Sequence, residues 1–255
     1  MHWHFDPILF QLGPIALHWY GLLFVGAFVL GDRHMERQLT QRGHPAGSTE
    51  WPLMAVLIGT VLGARLVHVF FYEPSHFLSH PLDILKVWQG GLASHGGVMG
   101  FLLGLWWGCR KARLPLITVA DLVAVPAAFG GMCVRIANFL NSEIVGEPTS
   151  QPWGVIFDRL NDGLPRHPVQ LYEALGYLAS AVVLWLWQRR SPQRVGSGFF
   201  VGAFLTLIFS VRVVAEIFKT PQAEYEQGMM ISTGQWLSLP FLLIGMALML
   251  WRRKP

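Results

Sequence analysis

Residues 132–146, MCVRIANFLNSEIVG, close an apolar run that begins near Leu116, and they carry Arg135, Asn138, Asn141 and Glu143 within nine positions. At helical spacing Arg135, Asn138 and Ser142 share one face, while Asn141 and Glu143 reach past the helix end. An arginine inside hydrocarbon costs about 2.5–3.5 kcal/mol on insertion scales, so its position needs a compensating partner. A planar guanidinium fork suits a phosphate, and a lipid head group is the anion available at that depth.

Further groups of this kind recur along the chain. Arg212 and Glu216 form an i,i+4 pair, which by itself reads as a self-neutralising ion pair. Arg65 and His68 share a helix face, His95 lies in GGLASHGG, and Gln235 lies in STGQWLSLP. His95 could equally be an interfacial histidine bonded to a backbone carbonyl. His18 and Tyr20, in LHWYG, suit either an interfacial aromatic belt or a polar site, and both readings stay open. The N-terminal HxH of His2 and His4 has metal-ligand spacing, but an interfacial amphipathic arm accounts for it as well. Cys109 and Cys133 both sit in apolar segments, with neither disulfide nor zinc spacing.

The elements that must position these groups are membrane helices. Hydrophobic residues make up 53% of the chain and charged ones 13%, with a mean hydropathy of +0.42, whereas a soluble domain carries about 25% charged residues. Seven apolar runs, near 15–30, 51–72, 92–109, 116–140, 171–187, 199–218 and 231–251, are long enough or nearly so to cross a bilayer. The expected fold is an all-α integral membrane protein of seven transmembrane helices. Residues 1–255 form a single polytopic domain, with an external arm over 1–14 and a small external cap over 142–170. In the third run Gly96, Gly100, Gly104 and Gly108 bare one face for close packing, so this helix should be central. Within the cap, 153–157 reads as a short strand, and Pro240 predicts a kink in the last span.

Charge placement sets the orientation. Arg33, Arg37, Arg42, Arg110, Lys111, Arg113, Arg189, Arg190, Arg194, Arg252, Arg253 and Lys254 follow the odd-numbered spans. The alternate loops carry only Lys86, Arg159, Arg166 and Lys219. This asymmetry places the N-terminus outside and the C-terminus in the cytoplasm. The net charge of +4 is thus explained by topology, and no nucleic-acid partner is expected. Arg65, Arg135 and Arg212 then each fall about 10 Å below the outer ends of their helices, in one layer. Against them stand Glu216 and, at the rim, Glu143, because Asp121 is about 21 Å from Arg135 along its helix. One positive charge is left over, and a bound anion would relieve it.

VRIANFLNSEIVGEPT, GGLASHGG, LHWYG, RHPVQLYE, the segment 212–216 and STGQWLSLP, all in register, resemble the prolipoprotein diacylglyceryl transferase family. Where that family usually has glycines, this chain has Val134, Ala137 and Ser142, a departure that leaves the polar residues intact. The resemblance implies a bacterial inner-membrane enzyme whose site faces the outer leaflet. Its partners would be phosphatidylglycerol, the signal-peptide lipobox of a prolipoprotein and the surrounding membrane lipids. The lipobox thiol would take the diacylglyceryl group as a thioether, releasing glycerol 1-phosphate.

In that chemistry Arg135 and Arg212 would stabilise the departing phosphate, with Arg65 as a third cation. His95 would be the base, with Glu143 and Glu216 as rivals and arginine stabilisation of the thiolate as a further route. Tyr20 and Asn138 would hold the head group or the lipobox backbone. His18 and Gln235 would line the site from the same side, and Gly146 would shape the turn into the cap. No metal or nucleotide motif occurs, so no cofactor is expected. A transporter or channel for an anionic lipid or solute would use the same arginines. It would also need a polar path to the cytoplasm, and the inner halves of the spans are almost free of ionisable residues. A rhomboid-type serine protease lacks its GxSG here.

Overall fold

A computed structural model describes residues 1–13, 15–87, 90–220 and 231–251. The basic cluster Arg252, Arg253 and Lys254 lies outside the described residues. Among the described residues eight α-helices run in order: α1 Trp19–Thr40, α2 Glu50–Phe71, α3 Pro74–Ser79, α4 Ser94–Ala112, α5 Leu116–Leu140, α6 Val169–Arg190, α7 Phe199–Ala215 and α8 Thr233–Leu250. Five of the apolar segments, 50–71, 116–140, 169–190, 199–218 and 233–250, have the length and apolarity to cross a membrane. Helices α1 and α4 occupy the other two expected spans but carry charged residues at their ends, Asp32 to Arg37 and Arg110–Lys111.

The chain folds as two compact units. The first comprises residues Met1–His34 and Ala120–Pro255. Its core joins Ala27 of α1, Ala124, Ala128 and Met132 of α5, Tyr177 and Leu184 of α6, and Phe200 and Ala203 of α7. A buried carboxylate organises this packing. Asp121 accepts the N–H groups of Gly196, Gly198 and Val201, each at 2.9 Å, and so caps the start of α7, while Gln188 on α6 donates to its backbone carbonyl at 2.7 Å. The positive end of the α7 dipole favours an anion there.

The fold is mostly helical, as expected, and among the described residues five short strands accompany the helices: β1 His2–Trp3, β2 Ile8–Leu12, β3 Ile15–His18, β4 Val155–Phe157 and β5 Pro165–Arg166. Residues 15–18 begin the first apolar run yet form a strand paired antiparallel with β2. Gly13 turns that hairpin at φ +58°, and the Trp19 N–H closes it onto Pro7 O at 3.0 Å. The first helix therefore starts four residues later than expected and continues to Thr40. β1 pairs parallel with β4, and β4 antiparallel with β5. The start of the N-terminal arm and the cap thus share a three-stranded sheet, seated on α5 by a cluster of Trp3, Phe139, Val155 and Phe157.

The second unit, Met35–Val119, is built on the glycine face expected of α4. A Cβ on Gly108 would lie 2.6 Å from Pro52 Cα, and one on Gly104 would lie 3.0 Å from Val56 Cα, so α2 and α4 pack backbone to backbone. Their other faces expose Ile58, Leu62, Phe70, Val98, Leu102 and Leu103, a surface suited to lipid rather than water.

Candidate active site

In the first unit, α5 delivers Arg135 and Asn138 one turn apart, and the chain then curls sharply. Ser142 and Ile144 both adopt left-handed backbone angles, φ +58° and +53°, on either side of Glu143. For a β-branched isoleucine this conformation is strained, and such strain persists only where its surroundings enforce it. Here they hold the Glu143 carboxylate. Asn138 Nδ2 donates to Oε2 and Asn141 Nδ2 to Oε1, each at 3.1 Å, and Gln170 Nε2 donates to the Glu143 backbone carbonyl at 2.6 Å. Arg135 Nη1 reaches Asn138 Oδ1 at 3.3 Å.

Gly146 follows in a space no side chain could share. A Cβ there would sit 2.5 Å from His167 O and 2.6 Å from Phe218 O. It is therefore the point at which the cap crosses the end of the seventh helical segment, and it pairs with Lys219 in a β-bridge.

The ionic centre lies where α5, α6 and α7 meet. Arg135 Nε stands 3.0 Å from Glu173 Oε2, an ion pair whose N–H is not aimed for a hydrogen bond. Lys219 Nζ lies 3.2 Å from Glu173 Oε1 and 3.0 Å from Glu216 Oε2. Tyr177 donates its hydroxyl to Glu173 Oε1 at 3.3 Å and feels the charges of both Arg135 and Arg212. Glu173 is fully buried and the Lys219 side chain is 5% exposed, so these charges interact through a poorly screened medium.

Several expectations change here. Glu216 pairs with Lys219, not with Arg212, whose buried Nε has no hydrogen-bond partner among the described residues. Among the described residues of this cluster the count is even: three cations, Arg135, Arg212 and Lys219, stand with three carboxylates, Glu143, Glu173 and Glu216. What remains is an uneven distribution, in which Arg212 alone of the three cations has no ion pair among the described residues. Buried side-chain atoms of this unit without a hydrogen-bond partner among the described residues include Asn141 Oδ1, Ser142 Oγ, Gln170 Oε1 and Arg212 Nε. Unsatisfied buried groups are rare in native structures, so each calls for a partner.

Tyr20, half-buried at the start of α1, feels the charges of Glu143 and Arg135 and so belongs to this cluster. Two other candidates do not. His18 is exposed on β3, with Nδ1 3.2 Å from Ala16 O. Gln235 is the N3 residue of a capping box with Ser232 at the start of α8, and its Nε2 donates to Val213 O at 3.1 Å.

Arg65 and His95 belong to the second unit. Arg65 is not a free cation: Nε donates to Ile84 O at 3.0 Å and Nη1 to Gly90 O at 2.7 Å and Gly91 O at 3.1 Å, while Nη2 reaches Asp83 O. It anchors the loop that leads into α4. His95 is exposed in the first turn of α4. The HxH histidines of the arm both reach Asp158 on the cap, at 3.0 and 3.4 Å.

Three members of the ionic centre escaped the sequence. Glu173 lies in the quoted RHPVQLYE motif, yet it was absent from the charge count. Lys219 was assigned to a loop. Tyr177 lies one turn beyond Glu173, and that i,i+4 spacing was the available signal.

The family description "Prolipoprotein diacylglyceryl transferase" matches residues 7–251. A phosphatidylglycerol–prolipoprotein diacylglyceryl transferase of Tolumonas auensis is 51% identical over 255 residues, covering 100% of this chain and 98% of the relative. The enzyme of the same name from Chloroherpeton thalassium is 42% identical over 96% of this chain and 92% of its own length. That of Cupriavidus pinatubonensis is 39% identical over 98% and 92%. With residues 7–251 matched by the family description and relatives of 39–51% identity covering 96–100% of its length, the chain belongs to the prolipoprotein diacylglyceryl transferase family.

Proposed function

We propose that this chain transfers the diacylglyceryl group of phosphatidylglycerol to the lipobox cysteine of a prolipoprotein. The cysteine sulfur attacks the glycerol carbon bearing the phosphate, the carbon–sulfur bond forms as the carbon–oxygen bond breaks, and glycerol 1-phosphate leaves with the electron pair. The nucleophile comes with the substrate, so the enzyme supplies positive charge where the phosphate departs and a route for the thiol proton. The observation that carries this reading is Arg212, a half-buried arginine without an ion pair among the described residues, whose charge reaches the same Tyr177 as that of an Arg135 fixed by Glu173 and Asn138.

Arg212 and Arg135 hold the phosphate and favour the lipobox thiolate, whose proton leaves to water, while Tyr20 and Asn138 hold the head group or lipobox backbone. Glu143 orders the α5 end, and no cofactor takes part. The transport alternative has no support in the relatives' names, all of which are transferases.

The same reading places seven spans in the bacterial cytoplasmic membrane as a single polytopic domain, with the site toward the outer leaflet. Aromatic and basic partners at the proposed cytoplasmic ends support helix ends at a membrane interface there. Lys111 lies 5.4 Å from the Trp51 ring, Arg110 5.2 Å from Trp106 and Arg189 4.3 Å from Trp185, as interfacial anchors do. The test is to incubate purified protein with labelled phosphatidylglycerol and a lipobox peptide. A thioether lipopeptide should form with one glycerol 1-phosphate per turnover, and Arg135→Ala should lose it while remaining folded. A folded Arg135→Ala that works at near-normal rates removes the phosphate assignment.

A further inference from the structure

Arg212 and Glu216 are one helical turn apart, the spacing at which an arginine and a carboxylate ordinarily join. They do not join here, for two reasons visible in the fold. After α7 the chain tightens into a 3-10 turn over Glu216–Phe218. That geometry eclipses side chains at i and i+3 and so brings Lys219 over Glu216, with Nζ 3.0 Å from Oε2. The carboxylate also lies against the backbone of Gly234 in the first turn of α8, so close that a Cβ at Gly234 would collide with it. There it gains from the positive end of the α8 dipole.

Lys219 is itself fixed. Its backbone pairs with Gly146, Glu147 N donates to Phe218 O at 2.9 Å, and its ammonium makes a second contact with Glu173, which also faces Arg135. The ions therefore alternate as Arg135, Glu173, Lys219 and Glu216, with Arg212 left outside the chain.

We propose that Lys219 is a positioning residue which keeps Arg212 available to substrate phosphate by occupying Glu216, the carboxylate Arg212 would otherwise take. This rests on the assignment of Arg212 to the phosphate. Without the lysine, Glu216 turns back along its own helix and captures the guanidinium. Phospholipid must then compete with an internal anion. The apparent affinity for a site that is competent only a fraction of the time falls by that fraction, so capture of nine-tenths of the population raises the KM for phosphatidylglycerol about tenfold. Saturating lipid recovers most of kcat, because the competent state is unchanged.

Transfer kinetics in mixed micelles of defined phosphatidylglycerol content test this with four variants. Lys219→Met should raise the KM for phosphatidylglycerol about tenfold with a much smaller change in kcat. Lys219→Arg should stay near wild type. Lys219→Met/Glu216→Gln removes both the lysine and its captive, and its KM should fall at least about threefold below that of Lys219→Met, whatever Glu216 itself adds to kcat. A lysine that only supported the fold, or one that touched the phosphate directly, would not be rescued by losing a carboxylate.

An unchanged KM in folded Lys219→Met overturns the inference, and so does a double variant no better than the single. Should Lys219→Met not fold alone, the charge-balanced double variant decides, and a KM raised about tenfold there overturns the inference too. Arg212→Ala separates the two levels. If its kinetics match wild type, the phosphate assignment itself is wrong. If it is impaired while Lys219→Met is not, only the role of the lysine fails.

Discussion

Replacing Glu173 by Gln removes a negative charge from the middle of a buried ionic chain with little change in shape. The carboxylate is fully buried and faces Arg135 at 3.0 Å and Lys219 at 3.2 Å. Breaking a buried ion pair from one side costs about 3–5 kcal/mol, because the partner charge stays buried. Lys219 keeps Glu216 at 3.0 Å, so only Arg135 is left uncompensated and the lower end, about 3 kcal/mol, applies. The orphaned guanidinium would then seek an external anion.

Equilibrium unfolding in mixed micelles, followed by tryptophan fluorescence, should show Glu173→Gln destabilised by about 3 kcal/mol in zwitterionic lipid. Phosphatidylglycerol should restore more stability to this variant than to wild type; a ligand at a hundredfold its Kd contributes about 2.7 kcal/mol. A variant within about 0.5 kcal/mol of wild type would refute the reasoning, since that is the range of an unremarkable surface change. Destabilisation that anionic lipid relieves no better than in wild type would refute it as well.

Other expectations concern the frame around the site. Asp121→Ala leaves three backbone N–H groups at the start of α7 without their carboxylate and should lose on the order of 3 kcal/mol in the same unfolding assay. Gly104→Val forces α2 and α4 apart and should cost at least about 1–3 kcal/mol, the range for overpacking, whereas Gly21→Ala, where a Cβ meets nothing, should be neutral. In the cap, the Leu164 N–H and then Arg166 hold the Asp162 carboxyl below its ordinary range. A depressed folded value means that the stabilisation is complete above the unfolded value of about 3.9 and is lost as pH falls through the folded one. Proteolytic nicking across 158–166 should therefore increase as pH is lowered below about 4, and Asp162→Asn should show open-loop cleavage at every pH.

The sequence exposed the helices because long apolar runs and a four-residue glycine period are local signals, and α2, α4 and α5 follow them closely. It also exposed the end of α5, where Arg135, Asn138, Asn141 and Glu143 do form one hydrogen-bonded group. The first helix starts four residues later than expected because IALH is apolar enough to read as helix, and only the Gly13–Pro14 pair signals a hairpin.

Arg65 looked like a ligand-binding cation because its depth was legible. The carbonyls that consume it come from residues 83–91, whose path no periodicity encodes. Gln235 illustrates a signal read for the wrong purpose, since Ser232 followed three residues later by glutamine is a capping box. Lys219 was hidden for a different reason. It lies beyond the last apolar residue of its segment, and only the return of the chain at Gly146 buries it.

The most direct test of the account is the initial rate of thioether lipopeptide formation by Arg212→Ala at saturating peptide. Loss of a charge that stabilises the leaving phosphate should lower that rate about 10²–10³-fold, with the protein still monodisperse and its unfolding midpoint close to wild type. A folded variant within about threefold of the wild-type rate would contradict the claim that this guanidinium, left free by its neighbours, receives the phosphate.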